Sequence, residues 1–166
     1  MDAMTIRSAS ALKMSVGLFL AYGAIYVLVG ALTPFALMFM KEESKGLWVS
    51  HTADTIVYGA TPQALVAREP AIGKLRDSIL IGLAALMCAA GVLIMSVAWF
   101  ALRRGEVWAL GALAAAGCVV LPFYVLIFVP YVRAGAPIGI GHMQPFIMIP
   151  GILLIPGVIL GWLGLR

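Results

Sequence analysis

Four stretches of the chain contain no charged residue, and each is long enough for a helix to cross a membrane. They are residues 14–40, 79–102, 107–132 and 146–165. A helix needs ~20 apolar residues to cross ~30 Å of hydrocarbon, and backbone groups in lipid must be paired within the helix. The pattern therefore predicts an all-α, four-helix transmembrane bundle, formed by a single membrane domain over residues 1–166.

The composition also indicates that most of the chain is surrounded by lipid and not by water. The chain is 63% hydrophobic and 11% charged, with a mean hydropathy of +1.08, far from the composition of an average soluble domain. A soluble protein of 166 residues could not bury so much apolar surface. The net charge of +4 is scattered along the chain. Membrane lipid is therefore an expected partner, and nucleic acid is not.

The connections predict how the helices are arranged. The short link at residues 103–106 makes the second and third helices antiparallel neighbours. Basic residues are densest on the short N-terminal, second and C-terminal segments, which favours an N-in, C-in orientation. Three tryptophans, Trp99, Trp108 and Trp162, then fall at one interface, as in an aromatic belt. The long segment 41–78 lies outside the cytoplasm in this orientation.

The extracytoplasmic segment 41–78 is expected to be partly ordered. Thr61 and Pro62 are typical of the N-cap and first position of a short helix. Pro70 either ends that helix or begins the next one, which can run without interruption into the second span. The segment has five basic and five acidic residues and no net charge. This balance favours a folded cap, and the alternative is a solvated linker.

The last apolar stretch carries two Pro-Gly pairs, at residues 150–151 and 156–157. Proline kinks helices, and broken helices line the binding sites of some transporters. The neighbouring residues here are Ile, Leu and Val, without a carboxylate or an amide. Gly157, Gly161 and Gly164 share one helical face, which is typical of a close-packing surface. Packing is therefore preferred to a broken-helix site.

Three Pro-Phe pairs, at residues 34–35, 122–123 and 145–146, all lie toward the outer side in this topology. Bent outer halves of the helices would open an apolar vestibule beneath the long segment, suited to a lipid tail. The predicted ligand-binding residues are Phe35, Phe123, Tyr124, Phe146 and His142. The simpler interpretation is that proline marks helix ends and shapes packing.

Two histidines and one carboxylate on the outer side have the chemistry of a zinc or copper site. These residues are His51, Asp54 and His142, and their spacing fits no known metal signature. A catalytic site needs a base positioned beside a nucleophile, and the sequence contains no such pattern. No motif for a cofactor is present either, so none is expected.

The apolar stretches themselves carry little chemistry. No Asp, Glu, Lys, Arg or His lies within any of them, which argues against ion-coupled transport and proton pumping. Cys88 and Cys118 occur at similar predicted depth, so a redox pair is conceivable. Free cysteine is more often a small packing residue in such positions.

Two stretches resemble known families. Residues 61–110, with "AWFALRRGE" before the third span, resemble small four-span membrane proteins of bacteria, which implies a bacterial inner (plasma) membrane location and no particular activity. The "GLWVS" at residues 46–50 resembles the Gly-Leu-Trp motif of the claudin-type four-span family, which shares the N-in, C-in topology. Claudins follow the motif with two disulfide-bonded cysteines, and this loop has none.

These observations favour a non-enzymatic membrane protein, either an accessory or assembly subunit of a larger membrane complex or a homo-oligomer. The predicted interaction residues are Trp48, Gly157, Gly161 and Gly164. The alternative is binding or transport of a lipid-like or small hydrophobic molecule in the outer vestibule. An intramembrane enzyme or metal site that uses the loop histidines is the third hypothesis.

Overall fold

The structure, a computed structural model, describes the backbone of residues 3–137 and 150–166. Every regular element in those ranges is helical, so the predicted all-α class is confirmed. The α-helices are α1 (Ala3–Phe39), α2 (His51–Tyr58), α3 (Pro62–Arg68), α4 (Pro70–Phe100), α5 (Val107–Cys118), α6 (Leu121–Arg133) and α7 (Ile155–Leu165). Short 3₁₀ turns occupy Glu42–Ser44 and Leu102–Arg104, and a π-helical turn occupies Pro150–Leu154.

Three helical segments are long and apolar enough to cross a membrane, namely Ser8–Phe39, Pro70–Arg104 and Val107–Arg133. They coincide with the first three predicted spans. The fourth apolar segment, Ile152–Leu165, is shorter, and the first residues of the predicted span 146–165 lie outside the described part of the chain. The count of four crossings therefore stays a prediction.

Close packing of α1 against α4 forms the main helix pair. Gly23 of α1 lies against Gly91 of α4, and Gly30 lies against Ala84 and Cys88. A Cβ atom on Gly91 would be 2.5 Å from the carbonyl oxygen of Gly23, so neither position has room for a side chain. Because the later glycine of α1 meets the earlier residues of α4, the two helices are antiparallel. Such small-residue contacts let membrane helices approach closely.

The glycines of α7 pack against α1 of the same chain. A Cβ atom on Gly164 would lie 2.5 Å from the backbone nitrogen of Leu12, and one on Gly161 would lie 2.8 Å from Oγ of Ser15. The Ser15 hydroxyl also donates a buried hydrogen bond of 2.7 Å to the carbonyl of Gly157. α1 of the same chain therefore occupies the face that the sequence predicts as an interaction surface.

The second Pro-Gly pair begins a helix. Pro156 lies in the first turn of α7, where its missing N–H costs no intrahelical hydrogen bond. The π-helical turn Pro150–Leu154 precedes it and absorbs the irregularity. The predicted packing role is observed at Gly157, which α7 buries against α1.

The third predicted span, 107–132, is divided into α5 and α6. Val119 and Val120 form a turn between them, and Pro122 lies in the first turn of α6. Pro122 has no N–H to donate to the carbonyl of Cys118, so the helical hydrogen-bond ladder is interrupted there. Beyond this break α6 packs on the cap helix α2 and approaches α1 and α4 only loosely.

Residues 41–69 form a cap at the end of the bundle where α1 ends and α4 begins. The Thr61 hydroxyl accepts a hydrogen bond of 3.2 Å from the N–H of Ala64, and Pro62 begins α3, as the sequence predicts. Pro70 starts α4, and that helix continues without interruption into the apolar stretch, which is one of the two arrangements that the sequence predicts for this residue.

The opposite end of the bundle, where α1 begins and α7 ends, carries tryptophan and arginine. The guanidinium of Arg103 lies 4.4 Å from the ring centre of Trp99, and that of Arg166 lies 4.9 Å from the ring centre of Trp162. These tryptophans and Trp108 are about half exposed or more. We call this end the basic end.

The glycine contact between α1 and α4 predicts a specific loss of stability. We expect Gly91→Val to lower the free energy of unfolding by about 1–3 kcal/mol or more, because its side chain meets the backbone of α1. Thermal unfolding of the purified protein in a mild detergent measures this change. Gly82→Val on the same helix is the control, since no atom lies within 4 Å of a Cβ at Gly82. Equal effects from the two variants would contradict the described packing.

Candidate functional site

A buried carboxylate organises the cap. Asp54 lies in the first turn of α2 and is fully buried. Its Oδ2 atom accepts hydrogen bonds from the N–H groups of Leu47, at 2.6 Å, and Trp48, at 3.0 Å. Its Oδ1 atom accepts from the N–H of Val49 at 3.3 Å. A charge this deeply buried requires several hydrogen bonds, and three consecutive backbone donors supply them.

The same carboxylate joins the cap to α6. The Tyr131 hydroxyl donates a hydrogen bond of 2.8 Å to Oδ1 of Asp54. Tyr131 is buried in a small apolar cluster of the cap and α6, whose other buried members are Val49, Ala53 and Ala136. Gly46 is required beside this carboxylate, because a Cβ atom there would lie 2.9 Å from Oδ2. The Gly-Leu-Trp stretch is thus folded around Asp54.

An apolar cavity of about 220 Å³ lies beneath this part of the cap, between α6 and the α1–α4 pair. We call it the cap cavity. It is lined by Tyr26 of α1, Trp48 and Val49 of the cap, Leu83, Leu86, Met87 and Ala90 of α4, and Val120, Tyr124, Ile127 and Phe128 of α6. None of these residues is charged. Along this wall α6 has few contacts with α4.

Three tyrosines supply the polar groups near the cavity. Tyr26 of α1 and Tyr124 of α6 both line it. The rings of Tyr22 and Tyr26, one helical turn apart, pack edge to face, with centroids 4.8 Å apart. Trp48 lies on the opposite, cap side of the same space.

An ion-pair network fixes the cap to the start of α4. Arg76 is nearly buried, and its guanidinium binds Asp77 at 2.8 Å and Glu42 at 3.0 Å. The Lys45 ammonium, which is also buried, lies 2.6 Å from the same Glu42 carboxylate. The hydrogen bond from Lys45, helped by Arg76, lowers the pKa of Glu42 below its ordinary value. The pair between Arg76 and Glu42 therefore holds the start of the cap close to α4, and Lys45 adds a second cation to the same carboxylate.

Of the five residues predicted to line a vestibule, one lines the cap cavity, two are exposed and two lie outside the described residues. Tyr124 lines the cap cavity. Phe35 is 59% exposed and Phe123 is 62% exposed, and neither lines the cavity, so both face the surroundings of the bundle. Phe146 and His142 lie outside the described residues. Trp48, predicted as an interaction residue, lines the cavity from the cap.

Two of the predicted metal ligands, His51 and Asp54, form other contacts in the structure, and the third, His142, lies outside the described residues. The His51 ring lies 2.8 Å, Nε2 to Oε1, from Gln63, which joins α2 to α3. Asp54 is occupied by backbone N–H groups and a tyrosine hydroxyl. Across residues 3–137 and 150–166, no group of three or more His, Cys, Asp or Glu side chains is placed to hold a metal ion.

Sequence reasoning missed most of the cavity wall. The signals available were the spacing of Tyr22 and Tyr26, one helical turn apart, and the aromatic run around Phe128. It also missed the role of Asp54, although the N–H groups of the apolar residues 47–49 need an acceptor when they are buried. Cys88 and Cys118 are free thiols, and Cys88 packs against α1 while Cys118 is exposed.

Comparison with known proteins found no match to this chain, whether to a family model, a curated protein or a solved structure. We therefore infer function from the geometry of the cap cavity and its surroundings. A fold shared with other proteins would in any case leave the function to be argued from the site.

Removal of the Asp54 carboxylate is expected to release the Gly-Leu-Trp stretch. In Asp54→Ala the N–H groups of residues 47–49 lose their acceptor, and each unpaired buried donor costs about 1–3 kcal/mol. We expect amide hydrogen exchange at residues 47–49 to accelerate about ten-fold or more, as measured by mass spectrometry. Glu43→Ala removes an exposed carboxylate of the cap and is the control. Unchanged exchange in Asp54→Ala would show that the carboxylate is not the anchor.

The ion-pair network predicts a pH dependence. Because the pKa of Glu42 is lowered in the folded state, its contribution to stability is present above the ordinary glutamate pKa of about 4.3. It is lost as the pH falls through the lower, folded value. Wild type should therefore have a higher thermal midpoint than Glu42→Gln at pH 6, and the difference should shrink as the pH falls below the ordinary glutamate pKa. A difference independent of pH would contradict this role.

Proposed function

We propose that this protein is an integral membrane protein that binds one hydrophobic, acyl-chain-like molecule in the cap cavity. In this proposal the chain crosses the membrane four times, with both ends cytoplasmic and the cap outside. The observation that carries the proposal is an uncharged cavity between α1, α4 and α6 with Trp48 on its cap side.

The size of the cavity suits a small apolar guest. Apolar cavities of about 150 Å³ stay free of water and bind benzene or xenon. The cap cavity, at about 220 Å³, is larger than this and has room for a ring or a short hydrocarbon segment. Apolar pockets with a few placed polar groups are the usual form of small-molecule sites, and the hydroxyls of Tyr26 and Tyr124 are such groups here.

The position of the cavity suits entry from the membrane. It lies between helices whose outer faces are covered with apolar side chains, such as Leu86, which is 68% exposed and also lines the cavity. A lipid tail reaching this gap leaves one apolar environment for another, so its entry carries little desolvation cost. The cap then limits how far a guest can extend, because Trp48 is held in place through Asp54.

Both ends of the bundle support the proposed orientation. The basic end carries Arg103, Arg104 and Arg166 on short segments, together with exposed tryptophans. Short basic segments are typical of the cytoplasmic interface, and aromatic belts mark a membrane interface on either side. The cap, residues 41–69, has paired charges at Glu42 and Lys45, and Arg76 of α4 pairs with the same Glu42, as expected for a folded segment outside the bilayer.

A subunit role in a membrane complex is the second candidate function. The surface that favours it is on α5 and not on α7. Gly111, Ala115 and Cys118 are small and exposed on one face of α5, and a Cβ at Gly111 would meet no atom within 4 Å. Such a stripe permits close approach of another membrane helix. Native mass spectrometry in mild detergent distinguishes an oligomer from a monomer that retains an apolar guest.

Filling the cap cavity should abolish binding. The probe is dibromostearic acid, whose bromines quench tryptophan, added to protein in which Trp99, Trp108 and Trp162 are replaced by phenylalanine. We expect saturable quenching of Trp48 with one molecule bound per chain. Ala90→Phe and Leu83→Trp both enlarge a side chain of the cavity wall, and each should remove the saturable phase.

The matched control is Ala89→Phe, because Ala89 is on the exposed face of α4 beside the cavity-lining Ala90. It adds the same ring without entering the cavity, so saturable quenching should persist. For Leu83→Trp, which adds a fluorophore, binding is measured by native mass spectrometry instead. Quenching that rises linearly with the probe, or that survives Ala90→Phe, would refute a guest in this cavity.

A further inference from the structure

A second groove lies at the basic end, far along α1 from the cap. Its volume is about 590 Å³, and it runs between the N-terminal half of α1 and the end of α4. Leu12, Val16 and Leu20 repeat every four residues of α1 and form an apolar floor. We call it the basic groove. It shares no lining residue with the cap cavity.

Two cations stand at the side of this apolar floor. Lys13 of α1 and Arg103 at the end of α4 both line the groove. Within residues 3–137 and 150–166, neither has a carboxylate within ion-pair distance. This differs from the cap, where Lys45 and Arg76 are both neutralised. The basic groove therefore presents a net positive charge beside an apolar surface.

The arginine is held in a fixed position by an aromatic ring. Arg103 lies 4.4 Å from the ring centre of Trp99, which also lines the groove. The flat face of the guanidinium stacks on the indole ring, which restricts its orientation. The N–H groups at the edge of the guanidinium remain available to bind an anion. Tryptophan at a membrane interface is also suited to contact the region between lipid headgroup and tail.

One glycine keeps the groove open. Gly17 lies on the groove-lining face of α1, and no atom is within 4 Å of the position that its Cβ would occupy. This contrasts with Gly23 and Gly30 of the same helix, which are in backbone contact with α4. The space beside Gly17 is thus part of the groove, and no neighbouring helix fills it.

We propose that the basic groove binds one anionic phospholipid. Its phosphate lies between Lys13 and Arg103, and an acyl chain lies along Leu12, Val16 and Leu20. The charge selects a headgroup without an ammonium of its own, because such a headgroup gains from both cations. The apolar floor selects a lipid over a free anion. This inference shares the membrane placement of the proposed function, but it concerns a different site and a different ligand.

The test uses the full chain purified in mild detergent, titrated with phosphatidylglycerol and with phosphatidylcholine that carry the same acyl chains. Native mass spectrometry counts the bound lipid. We expect one phosphatidylglycerol per chain to bind with saturation, at least ten-fold more tightly than phosphatidylcholine. Equal affinity for the two lipids would overturn the proposal.

Charge variants identify the site. Lys13→Gln and Arg103→Gln should each weaken phosphatidylglycerol binding about five-fold, and together about thirty-fold, since a basic residue near a lipid surface contributes about 1 kcal/mol. Arg104→Gln is the matched control, because Arg104 is the next residue and does not line the groove. An effect of Arg104→Gln as large as that of Arg103→Gln would show a diffuse attraction and no site.

A volume variant tests the groove without changing charge. Gly17→Leu places a side chain in the open space and should remove the tight phosphatidylglycerol site, whereas Gly82→Leu, also in open space on α4, should leave it intact. Inorganic phosphate in excess should not displace the lipid, and displacement would mean that the cations bind a free anion. Saturable quenching by dibromostearic acid at Trp48 should be unaffected by Lys13→Gln and Arg103→Gln, so the two sites fail or succeed separately.

Discussion

Direct backbone contact along α1 holds the described part of the bundle together. One face of α1 meets α4 at Gly23 and Gly30, and another meets α7 at its glycines. In hydrocarbon the hydrophobic effect does not bring apolar helices together, so close dispersion contacts and a few hydrogen bonds must do so. The bond from Ser15 to the carbonyl of Gly157 is one of these. The remaining helices are placed by reference to this central helix.

The cap depends on a different interaction, the burial of one carboxylate. Asp54 satisfies three consecutive N–H groups and a tyrosine hydroxyl, so an otherwise irregular stretch acquires one conformation. That conformation puts Trp48 on the cap side of the cap cavity. The walls of the cavity thus come from α1, α4 and α6, and its boundary at the cap depends on the carboxylate.

The sequence predicted the helices well and their faces poorly, for a physical reason. Apolar stretches and the proline signals at Pro62 and Pro70 locate helices, since backbone pairing in lipid and missing N–H groups leave few alternatives. A helix that is apolar all round has no polar side to indicate which face is inside. Small residues are the remaining sign of which face is packed. They occur on packed faces, as at Gly23, and also on faces without a neighbour, as at Gly82. The lining of the cap cavity was therefore mostly beyond sequence reasoning.

The interruption before α6 has a mechanical consequence. α6 is joined to α5 through Val119 and Val120 at one end and to the cap through Tyr131 at the other, with little contact between these points. A stiff helix held at its ends transmits a displacement from one end to the other. A shift of the cap therefore reaches the junction beside Cys118 through α6, while the pair between Arg76 and Glu42 transmits the same shift to α4.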